Sequence, residues 1–149
     1  MYRSSAFRYD FDVILIDCIF DPAVDALCEE TGIPIFGPTQ ITLPLIFLVA
    51  PNFPIITRIE RQSTLLARVV RKYKHSDTLV STCALWISYG EAMEENIVNE
   101  AMIRQFKLVV EEDHAGAVMM GSTAMALADE VAAAVLVCRC SFQACLPLE

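Results

Sequence analysis

Residues 12–22 read DVILIDCIFDP, and this stretch decides how the rest of the sequence is interpreted. A hydrophobic run leads into Cys18, and an Asp-Pro pair at residues 21–22 then stops it. Buried strands of parallel sheets have such runs, and they commonly deliver their last side chains to a site at the carboxyl edge of the sheet. Cys18 is therefore the first candidate for a site residue. The alternative for Cys18 is a buried core cysteine, which is a common fate for this residue type.

Composition and charge limit the classes of function. The chain has 149 residues, of which 55% are hydrophobic, and this is enough for one ordinary domain with a real core. Its net charge of −8 repels phosphate backbones and anionic lipids, so no nucleic-acid partner is expected. The longest apolar stretch, at 41–51, is too short to cross a bilayer. With no secretory signal visible, we expect a cytoplasmic protein without a membrane partner, whose six cysteines are free thiols.

Short apolar runs alternate with longer helical patterns along the chain. Strands are predicted at 12–16, 33–36, 53–59, 78–85 and 115–121, and helices at 23–32, 60–74 and about 91–112. This alternation indicates an α/β fold with a mostly parallel sheet. In the first helix, Pro22 is predicted at the first helical position and Gly32 just past the end.

Two strand-to-helix corners carry nucleophile-type side chains. The first is IDCIFDP at 16–22, and the second is MMGSTAMALADEV at 119–131, where Ser122 precedes an alanine-rich helical pattern. Free backbone N–H groups and the positive end of a helix dipole favour a bound anion at such corners, for example a carboxylate, an enolate or a thiolate. The alternative for Ser122 is a helix N-cap, a role compatible with a site.

The two corners occur together with TGIPIFGP at 31–38, FPIIT at 53–57 and EEDHAGAVMMGSTAM at 111–125. In this order and spacing they resemble the Asp/Glu/hydantoin racemase family, and within it the hydantoin and allantoin racemase branch, over about residues 10–134. The resemblance implies an α/β fold of two similar Rossmann-like lobes with mostly parallel sheets and a cleft between them. Residues 1–52 would form part of the first lobe and residues 53–134 the second lobe, followed by an atypical cysteine-rich tail at 135–149.

The resemblance also implies cofactor-independent racemase chemistry. Cys18 would remove the proton α to a carbonyl, and Ser122 would stand at the opposing catalytic position. This arrangement makes chemical sense, because inversion at a carbon needs a base and an acid on opposite sides of a planar intermediate. Phe20, Thr57 and Thr123 are the predicted substrate-binding residues, although a threonine at a strand end can also cap a helix.

The sequence departs from the family pattern in three ways. Ser122 replaces the usual cysteine, and a hydroxyl is a far weaker acid than a thiol with its pKa of about 8.5. Ala124 stands where the amino-acid racemases have a histidine, which favours a cyclic, uncharged ureide over free glutamate or aspartate. Finally, the family's first strand and its last strand have no counterparts in the sequence, so the first lobe is expected to be incomplete.

Three hypotheses for the function stay open. The first is a hydantoin or allantoin racemase, the second is a one-thiol enzyme like the family's decarboxylase relatives, and the third is a truncated, non-catalytic binding or oligomerisation module. The expected partners are a small-molecule substrate and, as an open option, a second copy of the chain. Asp21 is predicted to be a turn or capping residue. No metal is expected, since Cys138, Cys140 and Cys145 lack a Cys-x-x-Cys pair.

Overall fold

A computed structural model gives the structure of the protein and describes residues 11–88 and 90–122. Its described part alternates strands and helices, as the sequence predicts. In chain order the elements are β1 (Ile14–Leu15), α1 (Val24–Thr31), β2 (Ile35–Phe36), α2 (Pro38–Val49), β3 (Phe53–Thr57), α3 (Glu60–Lys72), β4 (Leu79–Ala84), α4 (Glu95–Glu112) and β5 (Met119–Met120). Short 3-10 turns at Ser76–Thr78 and Glu91–Met93 precede β4 and α4.

The first sheet consists of β1 and β2, which pair in parallel with Ile14 opposite Ile35. Helix α1 connects the two strands, and Gly32 ends it in the left-handed conformation (φ 66°) with its N–H bonded to the Cys28 carbonyl, as predicted. The predicted start of this helix is wrong. The helix begins at Val24, so Pro22 lies before the N-cap rather than at the first helical position.

The second sheet has the strand order β4-β3-β5, and both pairings are parallel. All five residues of the central strand β3 are buried, which explains why FPIIT reads as a hydrophobic run without alternation. Strand β5 lies in register with β3 through Ile55 opposite Met119. Because the strands are parallel, their carboxyl ends meet at one edge of the sheet.

Helices cover both faces of the second sheet, and adjacent residues of β3 point to opposite faces. Ile55 belongs to a buried cluster with residues of α2 and α3, whereas Ile56 belongs to a cluster with residues of α4. The members of the first cluster, named cluster A below, are all nearly inaccessible to solvent. They are Ile19, Leu43, Ile46, Phe53, Ile55, Leu66, Val70 and Met119.

Helix α2 is absent from the sequence prediction, which treats residues 41–51 only as an apolar stretch. The helix is apolar on every side, so it has no amphipathic period to reveal it, and Pro44 lies inside it. Leu43 and Ile46 face the core, while Leu45 and Leu48 are exposed.

The two sheets fall on either side of the predicted boundary between residues 52 and 53. The residue bounds of the two lobes stay a prediction, and the tail at 135–149 lies outside the described residues. None of the helices in the described ranges combines the length and the apolar character needed to cross a membrane.

Candidate active site

Cys18 lies in the turn that follows β1, where its side chain is partly exposed. The Asp21 amide donates a 3.0 Å hydrogen bond to the Cys18 carbonyl and closes this turn. Between them, Ile19 points into cluster A and is 8% exposed, whereas Phe20 is partly buried and packs against the same cluster. Cys18 is thus partly accessible to solvent, while its neighbour Ile19 anchors the turn.

Gly121 and Ser122 follow β5 at the carboxyl edge of the second sheet. The Gly121 amide donates a 2.7 Å hydrogen bond to the Ile56 carbonyl and extends the pairing with β3 by one residue. A Cβ at Gly121 would lie 2.7 Å from Thr57 Cγ2 and 2.9 Å from Leu66 Cδ1, so only glycine fits at this point. Ser122 therefore leaves the sheet directly beside Thr57, with a partly exposed side chain.

Thr57 ends β3 and is fully buried. Its hydroxyl oxygen lies 3.0 Å from Ser63 Oγ, 3.1 Å from the Ile59 carbonyl and 3.2 Å from the Cys83 carbonyl. The hydroxyl thus connects the end of β3 to α3 and β4. Sequence reasoning missed Ser63, whose buried position on α3 is signalled only by the helical spacing from Leu66 and Val70.

The structure brings the two corners to one hydrophobic cluster. Ile19, which follows Cys18, is a member of cluster A, and so is Met119, which precedes the Gly121–Ser122 corner. Leu66 of α3 belongs to the same cluster, and its side chain lies against Gly121. Cys18 and Phe20 thus flank Ile19 of cluster A, and Ser122 follows Met119 of the same cluster by three residues, beyond Gly121, which adjoins Thr57. Thr123, also predicted, lies outside the described residues.

Asp21 is buried at the first corner, and sequence reasoning missed what it binds. Its Oδ1 accepts a 3.1 Å hydrogen bond from the Thr39 amide, and its Oδ2 accepts one of 2.7 Å from the Gln40 amide. These amides belong to the first turn of α2, so Asp21 caps a helix other than the one that follows it. Pro38 at the start of α2, directly after Gly37, was the signal in the sequence that could have located this helix end.

Two partly buried groups near the candidate site, Cys83 and Tyr73, have raised pKa values. Burial, followed by the negative charge of Asp113, raises the pKa of the Cys83 thiol, whose Sγ lies 3.8 Å from the Ile55 carbonyl. Burial raises the pKa of Tyr73 well above its usual range, and the nearby Asp21 carboxylate adds to the shift. The contact between Tyr73 and Asp21 lacks the geometry of a hydrogen bond, so within the described chain the Tyr73 hydroxyl is buried without a partner.

The described cysteines Cys18, Cys28 and Cys83 are free thiols. Within residues 11–88 and 90–122, no three His, Cys, Asp or Glu side chains lie close enough together to bind a metal. Cys138, Cys140 and Cys145, considered above as ligands, lie outside these ranges. Chemically, the two corners offer the thiol of one partly exposed residue, Cys18, and the hydroxyl of another, Ser122, and groups of these kinds can move a proton to and from carbon.

Solved structures with a similar fold are allantoin racemases. Allantoin racemase from Klebsiella pneumoniae superimposes with a TM-score of 0.72 at 19% sequence identity, over 94% of this chain and 63% of that chain. Allantoin racemase from Pseudomonas fluorescens gives a TM-score of 0.74 at 20% identity, over 97% of this chain and 67% of that one. The protein thus has the two-lobe, Rossmann-like α/β fold of these structures, as the sequence predicts.

The sequence then gives the family. Residues 3–140 match the profile of the Asp/Glu/hydantoin racemase family, and the chain belongs to this family. The hydantoin racemase of Pseudomonas sp. (strain NS671) is 28% identical over 116 residues, which make up 77% of this chain and 47% of that protein. The chain therefore spans about half the length of this curated relative. The predicted family is confirmed, and the relatives found are members of the predicted hydantoin and allantoin racemase branch.

Proposed function

We propose that this chain inverts the configuration at a carbon α to a carbonyl in a cyclic ureide of the hydantoin or allantoin type, without a cofactor. The observation that carries the proposal is the arrangement of Cys18 and Ser122. Both are partly exposed, both follow parallel strands, and both are anchored by neighbours in cluster A. The substrate class follows from the relatives, which are a hydantoin racemase and two allantoin racemases.

In the proposed reaction, the Cys18 thiolate removes the proton from the carbon on one face of the ring. The electron pair moves into the adjacent carbonyl and forms a planar enolate. Ser122, directly or through a water molecule that it orients, returns a proton on the other face. Because the hydroxyl is a weak acid, this second step is expected to be the slower one.

The other proposed site residues act around these two. Phe20 offers an apolar surface beside the Cys18 turn, since its ring is only partly covered by cluster A. Thr57 is proposed to act through its contact with Gly121, because its own hydroxyl is buried. Thr123, which directly follows Ser122, is proposed to bind a substrate carbonyl. The proposal includes a cytoplasmic location, which the acidic charge and the free thiols support.

Exchange of the substrate's α-proton with deuterated solvent tests the proposal directly. An enantiopure 5-substituted hydantoin, and separately allantoin, is incubated with the protein while NMR follows deuterium uptake and polarimetry follows inversion. The control for spontaneous racemisation is the same sample without protein. Deuterium uptake with inversion supports the proposal. An absence of uptake in a folded sample contradicts it and supports a non-catalytic module.

Matched cysteine variants identify the base. Cys18→Ser is expected to abolish uptake, because a serine hydroxyl, unlike a thiol, is scarcely ionised near pH 7 and supplies no populated anionic base. Cys28→Ser is the control, since Cys28 is also a partly buried free thiol, but its Sγ faces the Ile35 carbonyl at 3.5 Å. If Cys18→Ser kept its activity, or if both variants lost activity equally, Cys18 would not be the base.

A one-thiol enzyme is the second candidate, and the serine at position 122 favours it. In this case the substrate exchanges its proton on one face only, so deuterium uptake occurs without inversion. Ser122→Cys separates the two candidates, because a second thiol should accelerate inversion in a two-sided site. It should leave the stereochemical outcome unchanged in a one-sided site.

A further inference from the structure

We propose that Asp21 is a positioning residue for Cys18: its carboxylate clamps the Cys18–Asp21 turn to the first turn of α2 and thereby fixes the direction of the thiol. This inference rests on the proposed function for its catalytic consequence. The clamp itself consists of contacts between residues 18–21 and 37–40, and its presence can be tested without a substrate.

The hydrogen bonds of the carboxylate define the clamp. Oδ1 accepts from the Thr39 amide at 3.1 Å, and Oδ2 accepts from the Gln40 amide at 2.7 Å. Because Asp21 is only 4% exposed and both of its oxygens bind amides, it is held as a buried acceptor and has no free face for a substrate. A charged acceptor at a helix N-terminus forms stronger hydrogen bonds than a neutral one.

The backbone of the turn is tied down at the same place. The Asp21 amide bonds to the Cys18 carbonyl at 3.0 Å, and the Thr39 hydroxyl donates to the Ile19 carbonyl. Asp21 itself has a left-handed backbone with φ of 48°, a conformation that costs energy for any residue with a side chain. The side-chain hydrogen bonds offset this cost and help to hold the turn in this conformation.

Gly37 is the counterpart of the carboxylate. A Cβ at this position would lie 2.2 Å from both Cγ and Oδ1 of Asp21, far inside the limit for real contacts. The glycine therefore leaves the space that the carboxylate fills, and the pair Asp21–Gly37 forms one steric unit. This close approach is a second observation, independent of the hydrogen bonds, that the carboxylate belongs in this place.

The clamp also connects the thiol to the opposite corner. Helix α2 contributes Leu43 and Ile46 to cluster A, which also contains Met119 next to the Gly121–Ser122 corner. Through Asp21, the thiol is thus held relative to the same core that supports Ser122. Misplacing a reacting group by about 1 Å can cost about a hundredfold in rate, so a rigid connection of this kind matters for two-sided chemistry.

Substitutions at Asp21 separate positioning from turn formation. Asp21→Gly removes both acceptors and also removes the backbone strain, because glycine adopts a positive φ freely. It is expected to lower kcat for deuterium uptake about a hundredfold while KM stays within about twofold, because Asp21 does not touch the substrate. Asp21→Asn keeps the shape and one acceptor, so its kcat should lie between those of Asp21→Gly and the parent protein.

A double substitution tests the steric unit. Gly37→Ala displaces the carboxylate and should lower kcat in the parent protein. In the Asp21→Gly background the three nearest atoms are gone, so the added methyl group should cause no further loss. If the two losses multiplied instead, the residues would act independently and the clamp would be wrong.

Alkylation of the thiols provides a readout without substrate. Iodoacetamide modification is followed by peptide mass spectrometry, with the half-buried Cys83 as the internal reference for global unfolding. Asp21→Gly should raise the modification rate of Cys18 severalfold and leave that of Cys83 unchanged. If the rate at Cys18 did not change, the positioning role would be refuted.

These readouts distinguish a failure of the clamp from a failure of the proposed function. If the parent protein takes up no deuterium, the proposed function fails, but the alkylation rates and the Gly37→Ala coupling, then measured on those rates, still decide the clamp. If iodoacetamide modifies Cys83 faster in Asp21→Gly than in the parent protein, the variant has unfolded, and Asp21→Asn is then used for the test instead. In that case an unchanged Cys18 rate and an unchanged kcat in Asp21→Asn overturn the inference.

Discussion

Replacing Gly121 by alanine tests how the Ser122 corner is held. The added Cβ would lie 2.7 Å from Thr57 Cγ2 and 2.9 Å from both the Ile56 carbonyl oxygen and Leu66 Cδ1. The carbonyl cannot yield, because it accepts the 2.7 Å hydrogen bond from the Gly121 amide itself. The chain at residue 121 must therefore move away from β3. Overpacking of this kind costs about 1–3 kcal/mol of unfolding free energy.

Urea unfolding followed by circular dichroism measures this cost. The matched control is Gly90→Ala, because a Cβ at Gly90 meets no atom of residues 11–88 or 90–122 within 4 Å and its backbone φ is −65°. This control should change the unfolding free energy by no more than about 0.5 kcal/mol. Adding Thr57→Ser to the Gly121→Ala variant removes the contact with Cγ2 and should recover part of the lost unfolding free energy. Activity should fall about a hundredfold in Gly121→Ala if Ser122 shifts by about 1 Å. Equal stability of the Gly121→Ala and Gly90→Ala variants would refute the reasoning.

Two further predictions concern stability. Leu66→Ala should lower the unfolding free energy by about 2–5 kcal/mol, because Leu66 is fully buried in cluster A. Leu65→Ala, at a residue that is 43% exposed, should lower it by about 0.5 kcal/mol or less, and equal losses in urea unfolding would contradict this assignment of the core. The raised pKa values of Cys83 and Tyr73 mean that the folded state holds protons which the unfolded state releases, so stability should be fully present below about pH 9 and fall as the pH rises further. Tyr73→Phe should reduce this loss of stability above about pH 10. It should not lower the unfolding free energy at pH 7, since the Tyr73 hydroxyl has no hydrogen-bond partner in the described chain. If the unfolding free energy of Tyr73→Phe fell with alkaline pH as steeply as that of the parent protein, this prediction would be wrong.

The elements that the sequence predicts well are those with a clear period or a clear stop. Helix α3 was expected at 60–74 and spans Glu60–Lys72, because its apolar residues form one stripe on an otherwise charged helix. Strand β1 was expected at 12–16 but pairs only at Ile14–Leu15, since β2 is its one hydrogen-bonded neighbour in the described sheet. Helix α2 was missed because a helix apolar on all sides has no period to detect.

The candidate site was predicted in its residues but not in its connections. The family motifs identified Cys18 and Ser122 as the two corners. They did not reveal that Asp21 caps α2, because a hydrogen bond across 18 residues depends on how β1, β2 and α2 fold together. In the same way, the burial of the Thr57 hydroxyl depends on α3 and β4 and is not visible in the strand FPIIT alone.

The topology of the second sheet sets an order of assembly during translation. The contacts of Asp21 with α2 span 18 to 19 residues and are complete once the ribosome has released the first 40 or so. Strand β5 pairs with β3 only after a much longer loop closes, as in the hydrogen bond from the Gly116 amide to Asn52 across 64 residues. A nascent chain therefore builds the thiol corner earlier than the hydroxyl corner. Until β5 arrives, one edge of β3 stays open to other strands, which exposes the growing chain to misassembly during this interval.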